Sequence, residues 1–306
     1  MLLVLTGSSD VTSDLLFRRL GDKAFRFNFD IFREYEVSVH PSHWTIRNPH
    51  GLEISSETAT HAFWWKAFHY FTQQEKFVDE EIKYVFRELY GWFLRRSTIK
   101  GNPPDFHNHN GKIYLLGVAQ SFFPIPESIA GWCFKEFGTN NGKRRYVAKS
   151  LASGLTTTNR ALFTTEVDLS ALDYSYPWFL QEAIQAEADV TILICGRKRY
   201  AFLRSREGLE GLDWRREGCH TSSGPGWEPR KLSSDETQAI DGFCHSLGVD
   251  WGRIDLLQVE GRLVFLEFNA NGQWAFLDPS NKVGLVDAVA KYLLNPSYDD
   301  MEVTQS

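Results

Sequence analysis

Two carboxylates and an amide near the end of the chain recur at a spacing that could gather them. They lie in the run Arg253-Ile254-Asp255 and in Leu263-Val264-Phe265-Leu266-Glu267-Phe268-Asn269, joined through Glu260-Gly261. Strand alternation places Leu263, Phe265, Glu267 and Asn269 on one face of the second run, with Val264, Leu266 and Phe268 on the other. Arg253, Asp255 and Leu257 share a face of the first run. A three-residue loop, Glu260 to Arg262, would set Asp255 opposite Glu267. A two-residue Glu-Gly loop would send them to opposite faces unless a bulge intervenes. Together Asp255, Glu267 and Asn269 form an all-oxygen set suited to Mg²⁺ that also holds substrate phosphates. The same residues suit an ordinary hairpin with Glu267 at its rim, and spacing does not separate the two readings.

A second group is Lys149, near the end of a strand from Arg144 to Ser150 in which Arg145, Val147 and Lys149 alternate to one side. The loop Leu-Ala-Ser-Gly-Leu-Thr-Thr-Thr follows. An ammonium ahead of a small polar loop suits a nucleotide: the point charge neutralises phosphates while backbone N–H groups close over them. Other polar clusters point less far. The Gly7-Ser8-Ser9 loop could cradle a phosphate at a helix start but lacks the Gly-Lys-Ser/Thr ending of a P-loop. His107 and His109 have ligand spacing without a third ligand placed around them, which favours a polar loop.

The elements that must position these groups follow from periodicity. Leu2 to Leu5 is a buried strand, and Ser13 to Leu20 is a helix after a polar loop, the opening of an α/β unit. Phe25 to Phe32 and Val37 to Ile46 alternate as strands. Gln73 to Phe93 is an amphipathic helix expected to turn Phe77, Ile82, Val85, Phe86 and Leu89 inward. Residues 95–110, with Gly101 and Pro103-Pro104, oppose regular structure and mark a boundary. A helix from Gly111 to Gln120, a run from Phe122 to Ile129 and a helix around Trp132 to Phe137 follow. Trp178 to Leu193 reads as strand, polar break and strand. Helices at Asp235 to Leu247 and Leu285 to Leu294 complete the chain, the latter expected beside the acid-bearing hairpin. Residue chemistry alone thus supports an α/β (α+β), two-lobed nucleotide-binding protein.

Ordered strings of residues add a resemblance. Arg253-Ile254-Asp255 followed by Leu266-Glu267-Phe268-Asn269-Ala270-Asn271-Gly272-Gln273-Trp274 resembles the C-terminal signature of ATP-grasp ligases, in particular the graspetide synthetases such as the microviridin ligases. Further blocks resemble the same family: Leu180-Gln181-Glu182-Ala183-Ile184, Glu187-Ala188-Asp189-Val190-Thr191 and Asp213-Trp214-Arg215. Asn110 and Lys112 flank the place of an Asn-Lys pair, and Trp64-Trp65-Lys66 that of a Trp-Tyr-Arg-Arg-like strand. The resemblance implies an ATP-grasp fold: an N-terminal lobe (1–110), a central lobe (111–182) and a C-terminal lobe (183–306), with ATP between two sheets. It implies Mg²⁺ at Asp255, Glu267 and Asn269, phosphates at Lys149, and the adenine hinge at Gln181, Glu182 and Ile184. Glu187 maps to the ribose acid, and Arg253 and Arg215 to the catalytic cations. Asp189 stands where those relatives usually carry Arg.

The implied activity is an ADP-forming carboxylate–amine or carboxylate–alcohol ligase. Asp or Glu side chains of a ribosomal precursor peptide with a leader segment become acyl phosphates and then ester or amide cross-links. Ligation of free amino acids or small amines, and a degenerate ATP-grasp fold that only binds peptide, are the alternatives. Homodimers are common among such relatives, though no stripe in this sequence marks an interface.

Composition sets the outer bounds. The chain has 306 residues, enough for two or three lobes, and its 42% hydrophobic and 24% charged content is that of a soluble globular protein. A formal charge of −6 argues against a general nucleic-acid or membrane-surface binder. The 10 Trp and 23 Phe suit aromatic cores or a peptide groove. Cys133, Cys195, Cys219 and Cys244 lack paired spacing and read as reduced thiols, which with no signal peptide and no long apolar run suggests a cytoplasmic protein.

Overall fold

A computed structural model describes residues 1–66, 76–132, 144–151, 164–208 and 226–295. The chain opens with β1 (Leu2–Thr6), α1 (Val11–Leu20) and β2 (Ala24–Asn28), a strand–helix–strand unit. Every residue of β1 is buried, as a continuous apolar run in a parallel sheet requires. Asp10 starts α1 by accepting a hydrogen bond from the Ser13 N–H at 2.7 Å. The strand expected from Phe25 to Phe32 stops at Asn28, where a 3₁₀ turn over Phe29–Glu34 takes over. The run Val37 to Ile46 is a hairpin of β3 (Glu36–Val39) and β4 (Trp44–Arg47), extended by β5 (Glu53–Ser55).

Next come β6 (His61–Trp64), α2 (Lys76–Leu94) and β7 (Ile99–Lys100), and the parallel sheet has the order β2-β1-β6-β7. In α2 the inward stripe is Ile82, Phe86, Leu89 and Phe93. Phe77 and Val85, expected inside, are 71% and 42% exposed. At 100° per residue Phe77 falls opposite the stripe and Val85 beyond its edge.

The middle of the chain carries α3 (Phe106–His109), α4 (Lys112–Ala119), β8 (Ser128–Gly131), β9 (Tyr146–Lys149), β10 (Thr165–Val167) and β11 (Trp178–Glu182). Its antiparallel sheet has the order β10-β9-β11-β8. The run expected to be extended from Phe122 begins its strand only at Ser128. Phe123 instead drops into the core, its ring 6.1 Å from that of Phe265. The helix expected near Trp132 to Phe137 lies largely outside the described residues.

The last third supplies β12 (Ala188–Cys195), β13 (Lys198–Ser205), β14 (Glu228–Arg230), α5 (Ser234–Leu247), β15 (Trp251–Val259), β16 (Arg262–Asn269) and α6 (Leu285–Leu294). The antiparallel sheet has the order β14-β13-β12-β15-β16. All eight residues of central β12 are buried. Val190, Ile192 and Ile194 pack under α4 and α5, whereas Leu193 and Cys195 meet a core shared with the first lobe. α6 lies against α1, β6 and β12, not along the acid-bearing hairpin. It meets β15 at Trp251, which stacks on Tyr292 at 5.5 Å and stands edge-on to Phe63 at 5.3 Å. Among the described residues no helix is long and apolar enough to cross a membrane.

Candidate active site

The hairpin of β15 and β16 decides where the acids point. Its loop has two residues, Glu260 and Gly261, with φ of 48° and 75°, the left-handed pair that matches strand twist. A regular ladder from this loop would turn Asp255 and Glu267 to opposite faces. The ladder is not regular: Leu256 pairs with Phe265 but Asp255 pairs with Glu267, so Leu266 is an extra residue. This β-bulge, one of the two arrangements the sequence left open, brings the acids together without a three-residue loop. It also corrects the expected faces. Leu263, Phe265 and Phe268 enter the core, while Glu267 lines a cleft on the other side and Asn269 bonds to it.

That cleft runs between the two antiparallel sheets. Val147, Lys149 and Gln181 line it from one side, and Thr191, Asp255 and Glu267 from the other. Asn269 Nδ2 donates to Asp255 Oδ2 at 2.7 Å and to Glu267 Oε1 at 3.1 Å. Thr191 Oγ1 donates to Asp255 Oδ1 at 3.0 Å. Arg253 donates to Asp255 at 2.8 Å through one nitrogen and to the Gln273 carbonyl at 2.5 Å through another. Gln273 in turn hydrogen-bonds Thr12 and Asp10, tying this corner to the first lobe.

Opposite the acids stand two lysines. Lys149 Nζ donates to Gln181 Oε1 at 2.6 Å, and Gln181 donates onward to Ser128 at 3.0 Å. Lys112 Nζ lies 3.6 Å from Glu267 and donates to the Ser150 carbonyl at 2.8 Å. Burial alone would raise the Glu267 pKa, but Lys112, Lys149, the Asn269 amide and Arg253 together bring it down to about 2. Burial and the charge of Glu267 push Asp255 the other way, against the pull of Arg253. The corner therefore resists a second negative charge unless a further cation enters. An amide NH₂ now sits between the two carboxylates, where a hard cation would be drawn, and rotation of the same amide would offer its oxygen. The donor set fits Mg²⁺.

The structure thus brings Arg253, Asp255, Glu267, Asn269 and Lys149 to one place. Glu182 and Ile184 line the far end of the cleft, where β11 crosses toward β12. The N–H groups of Glu182 and Ala183 donate to Glu127 and Arg145 carbonyls. Gln181 is buried and anchors Lys149. Glu187, expected at the ribose, is exposed and accepts from Glu260 N at 3.0 Å and Gln258 Nε2 at 3.3 Å, away from the cleft lining. Arg215 and the Ser153-Gly154 loop lie outside the described residues. His107 lies behind the acid strand, its ring accepting from Ala270 N at 3.4 Å. Ser8 is taken by Asp30 through its backbone at 2.8 Å.

Four contributors received no role from the sequence. Lys112 had a signal: a cation in the first turn of a helix opposes the helix dipole and calls for a partner. Thr191 and the Gln273 side chain carried none, because their partners are distant in sequence. Gly272 had one in its own type. A Cβ there would lie 2.8 Å from Asn269 Cβ and 3.3 Å from Arg253 Cβ. Gly272→Ala is therefore expected to displace Asn269 and Arg253, lowering turnover about 100-fold, as misplacements near 1 Å do. Steady-state rates beside an unchanged circular-dichroism spectrum check this; wild-type rates would refute it.

No family model and no curated protein matches this sequence. Solved structures do. The macrocyclase MdnC bound with precursor peptide MdnA from Microcystis aeruginosa MRC aligns at a TM-score of 0.79 with 21% identity, over 96% of this chain and 100% of that one. A Chryseobacterium gregarium RiPP-associated ATP-grasp ligase, in complex with ADP and a leader and core peptide, aligns at 0.75 and 21%, over 97% of each chain. The ATP-grasp ligase PsnB, complexed with a phosphomimetic variant of a minimal precursor, Mg and ADP, aligns at 0.69 and 15%, over 96% of this chain and 98% of that one. The chain has the ATP-grasp fold.

Proposed function

We propose that this ATP-grasp chain is an ADP-forming ligase that cross-links a ribosomal precursor peptide through its Asp or Glu side chains. The observation that carries the reading is one cleft lined by Lys149, Asp255 and Glu267, with Lys112 3.6 Å from Glu267 and the β11–β12 crossover at its far end. Such a cleft holds a nucleotide by its base at the crossover and by its phosphates at the charged corner. The peptide substrate is supported by the solved structures of the same fold, which include complexes with precursor, leader and core peptides.

Mg²⁺ held by Asp255, Glu267 and Asn269 would neutralise phosphate charge. The remaining work belongs to side chains. Gln181 holds Lys149 toward the phosphates, and Ser150 and Glu267 hold Lys112 beside them. Positioning and charge stabilisation are what phosphoryl transfer requires of a protein. A peptide carboxylate oxygen bonds to the γ-phosphorus and ADP leaves. A side-chain amine or hydroxyl then bonds to the acyl carbon, its proton departs and inorganic phosphate leaves. Arg253, fixed by Asp255 and the Gln273 carbonyl, stands beside the site of the developing oxyanion.

The test is to incubate the full chain with ATP, Mg²⁺ and precursor peptides carrying Asp or Glu beside Ser, Thr or Lys. ADP release matched by the loss of one water mass per ADP is expected. A mass gain would show that a separate amine or acid is joined. Absence of both ADP release and nucleotide binding would end the ligase reading.

A further inference from the structure

The first lobe turns the carboxyl ends of its parallel strands toward the charged corner, and that edge is where open parallel sheets hold ligands. Thr12 and Asp10, beside the edge, bond the Gln273 side chain, and the Gln273 carbonyl holds Arg253. Lys66 stands at the same edge, just past the end of β6. Its neighbour Trp65 donates its indole N–H to Asp10 at 3.1 Å, so a chain of hydrogen bonds runs from this end of β6 to Arg253. The φ of Lys66 is 55°, a left-handed conformation uncommon in lysine, and strain of this kind persists where the surroundings fix a residue in place. Its ammonium lies 5.3 Å over the Trp65 ring, and among the described residues no salt bridge joins it to a carboxylate. Burial lowers its pKa to about 8, the Asp10 carboxylate resists that fall, and Arg253 adds to it.

We propose that Lys66 is the general base of the second half-reaction, taking the proton of the hydroxyl or amine that attacks the acyl phosphate. The inference rests on the ligase reading. With the nucleotide in the cleft on one side of the charged corner, the acceptor reaches the acyl carbon from the other side, where Lys66 and Arg253 stand. The acceptor oxygen or nitrogen bonds to the acyl carbon, and its proton passes to the neutral Lys66 Nζ. The bond from that carbon to the phosphate oxygen breaks with its electron pair on phosphate, and the Lys66 ammonium then yields its proton to water. Arg253 cannot share this task, because a guanidinium stays protonated; it is left to stabilise the oxyanion. A base works best when its pKa lies near the operating pH, and a desolvated lysine beside a second cation meets that condition.

The experiment gives the full chain ATP, Mg²⁺ and a precursor peptide carrying Glu beside Ser or Thr, whose hydroxyl does not titrate near neutral pH. A fixed amount of hydroxylamine captures the acyl phosphate as a hydroxamate without needing a base. Mass spectrometry then gives the ratio of cross-linked to hydroxamate product, which depends only on steps after the acyl phosphate has formed. In wild type the ratio is expected to rise about 10-fold per pH unit up to about pH 8 and then level, because neutral Lys66 is the active form. Lys66→Arg keeps the charge but cannot take a proton. Its ratio is expected to fall about 100-fold or more and to lose the pH dependence. A wild-type ratio in Lys66→Arg overturns the inference and leaves Lys66 as a binding cation. A pH-independent ratio in wild type overturns it too, a result that stands even if the variant does not fold. Absence of both ADP and hydroxamate with wild type overturns the ligase reading along with it.

Discussion

Glu267→Gln is expected to lower ADP formation by about 10²–10³-fold at saturating peptide, with little change in thermal midpoint. The substitution keeps the shape of the side chain and its hydrogen bond with Asn269, so packing is preserved. It removes the anion that Lys112 approaches to 3.6 Å and that four neighbouring groups hold ionised down to about pH 2. Two lysines then face a corner that has lost half its acidic charge, and a hard cation loses a ligand. The remaining carboxylate, Asp255, is tied to Arg253 and Thr191 and cannot serve alone. Titrating Mg²⁺ separates the causes: partial recovery at high Mg²⁺ is expected if ligation is the defect. Turnover equal to wild type at ordinary Mg²⁺ would remove Glu267 from the site.

Trp251→Ala is expected to destabilise the fold by about 3–5 kcal/mol, the range for large-to-small changes at fully buried aromatics. Trp251 is 1% exposed, stacked on Tyr292 and edge-on to Phe63 and Trp65. It is thus where the first lobe, α6 and the last sheet share one core. At roughly 2–4 °C per kcal/mol for domains somewhat smaller than this chain, the thermal midpoint should fall by about 10 °C. Trp251→Phe retains most of the contact and a smaller fall is expected. The residue also begins the strand that carries Asp255, so activity should decline before the transition is reached. A midpoint within error of wild type would show that the lobes do not depend on this contact.

The sequence was most legible where function is compressed into consecutive residues. Asp255, Glu267 and Asn269 lie within one hairpin, and Lys149 ends a strand ahead of a polar loop, so residue types close in sequence made them candidates, though alternation alone did not put the two acids on one face. Legibility failed where placement depends on partners far along the chain. Lys112 meets Glu267 across 155 positions of sequence, and only the fold brings them to 3.6 Å. Glu187 was nominated only through the resemblance, and its bond from Glu260 N at the hairpin tip had no signal in the local sequence. In α2 the apolar residues outnumber the inward positions, and the expected stripe took in Phe77 and Val85, which the helical period itself sets off the face that Phe86, Leu89 and Phe93 share. The faces of β16 were misjudged for a different reason. No residue type announces which of Val264, Phe265 or Leu266 the ladder will leave over.

That leftover residue, Leu266, bears on how the hairpin finds its alignment during folding. Ironed flat, the ladder would seat Leu266 opposite Asp255 and turn Glu267 toward Phe243 and Phe265, while Phe268 swung out to water. An unpaired carboxylate among those rings would cost several kcal/mol, and the lost burial of Phe268 about 2 kcal/mol more. Mispaired forms are thereby penalised by the acids themselves. The charges that gather at the cleft also act as a proofreading device for strand alignment, and a variant with both acids replaced by leucine should fold into a hairpin with more than one register.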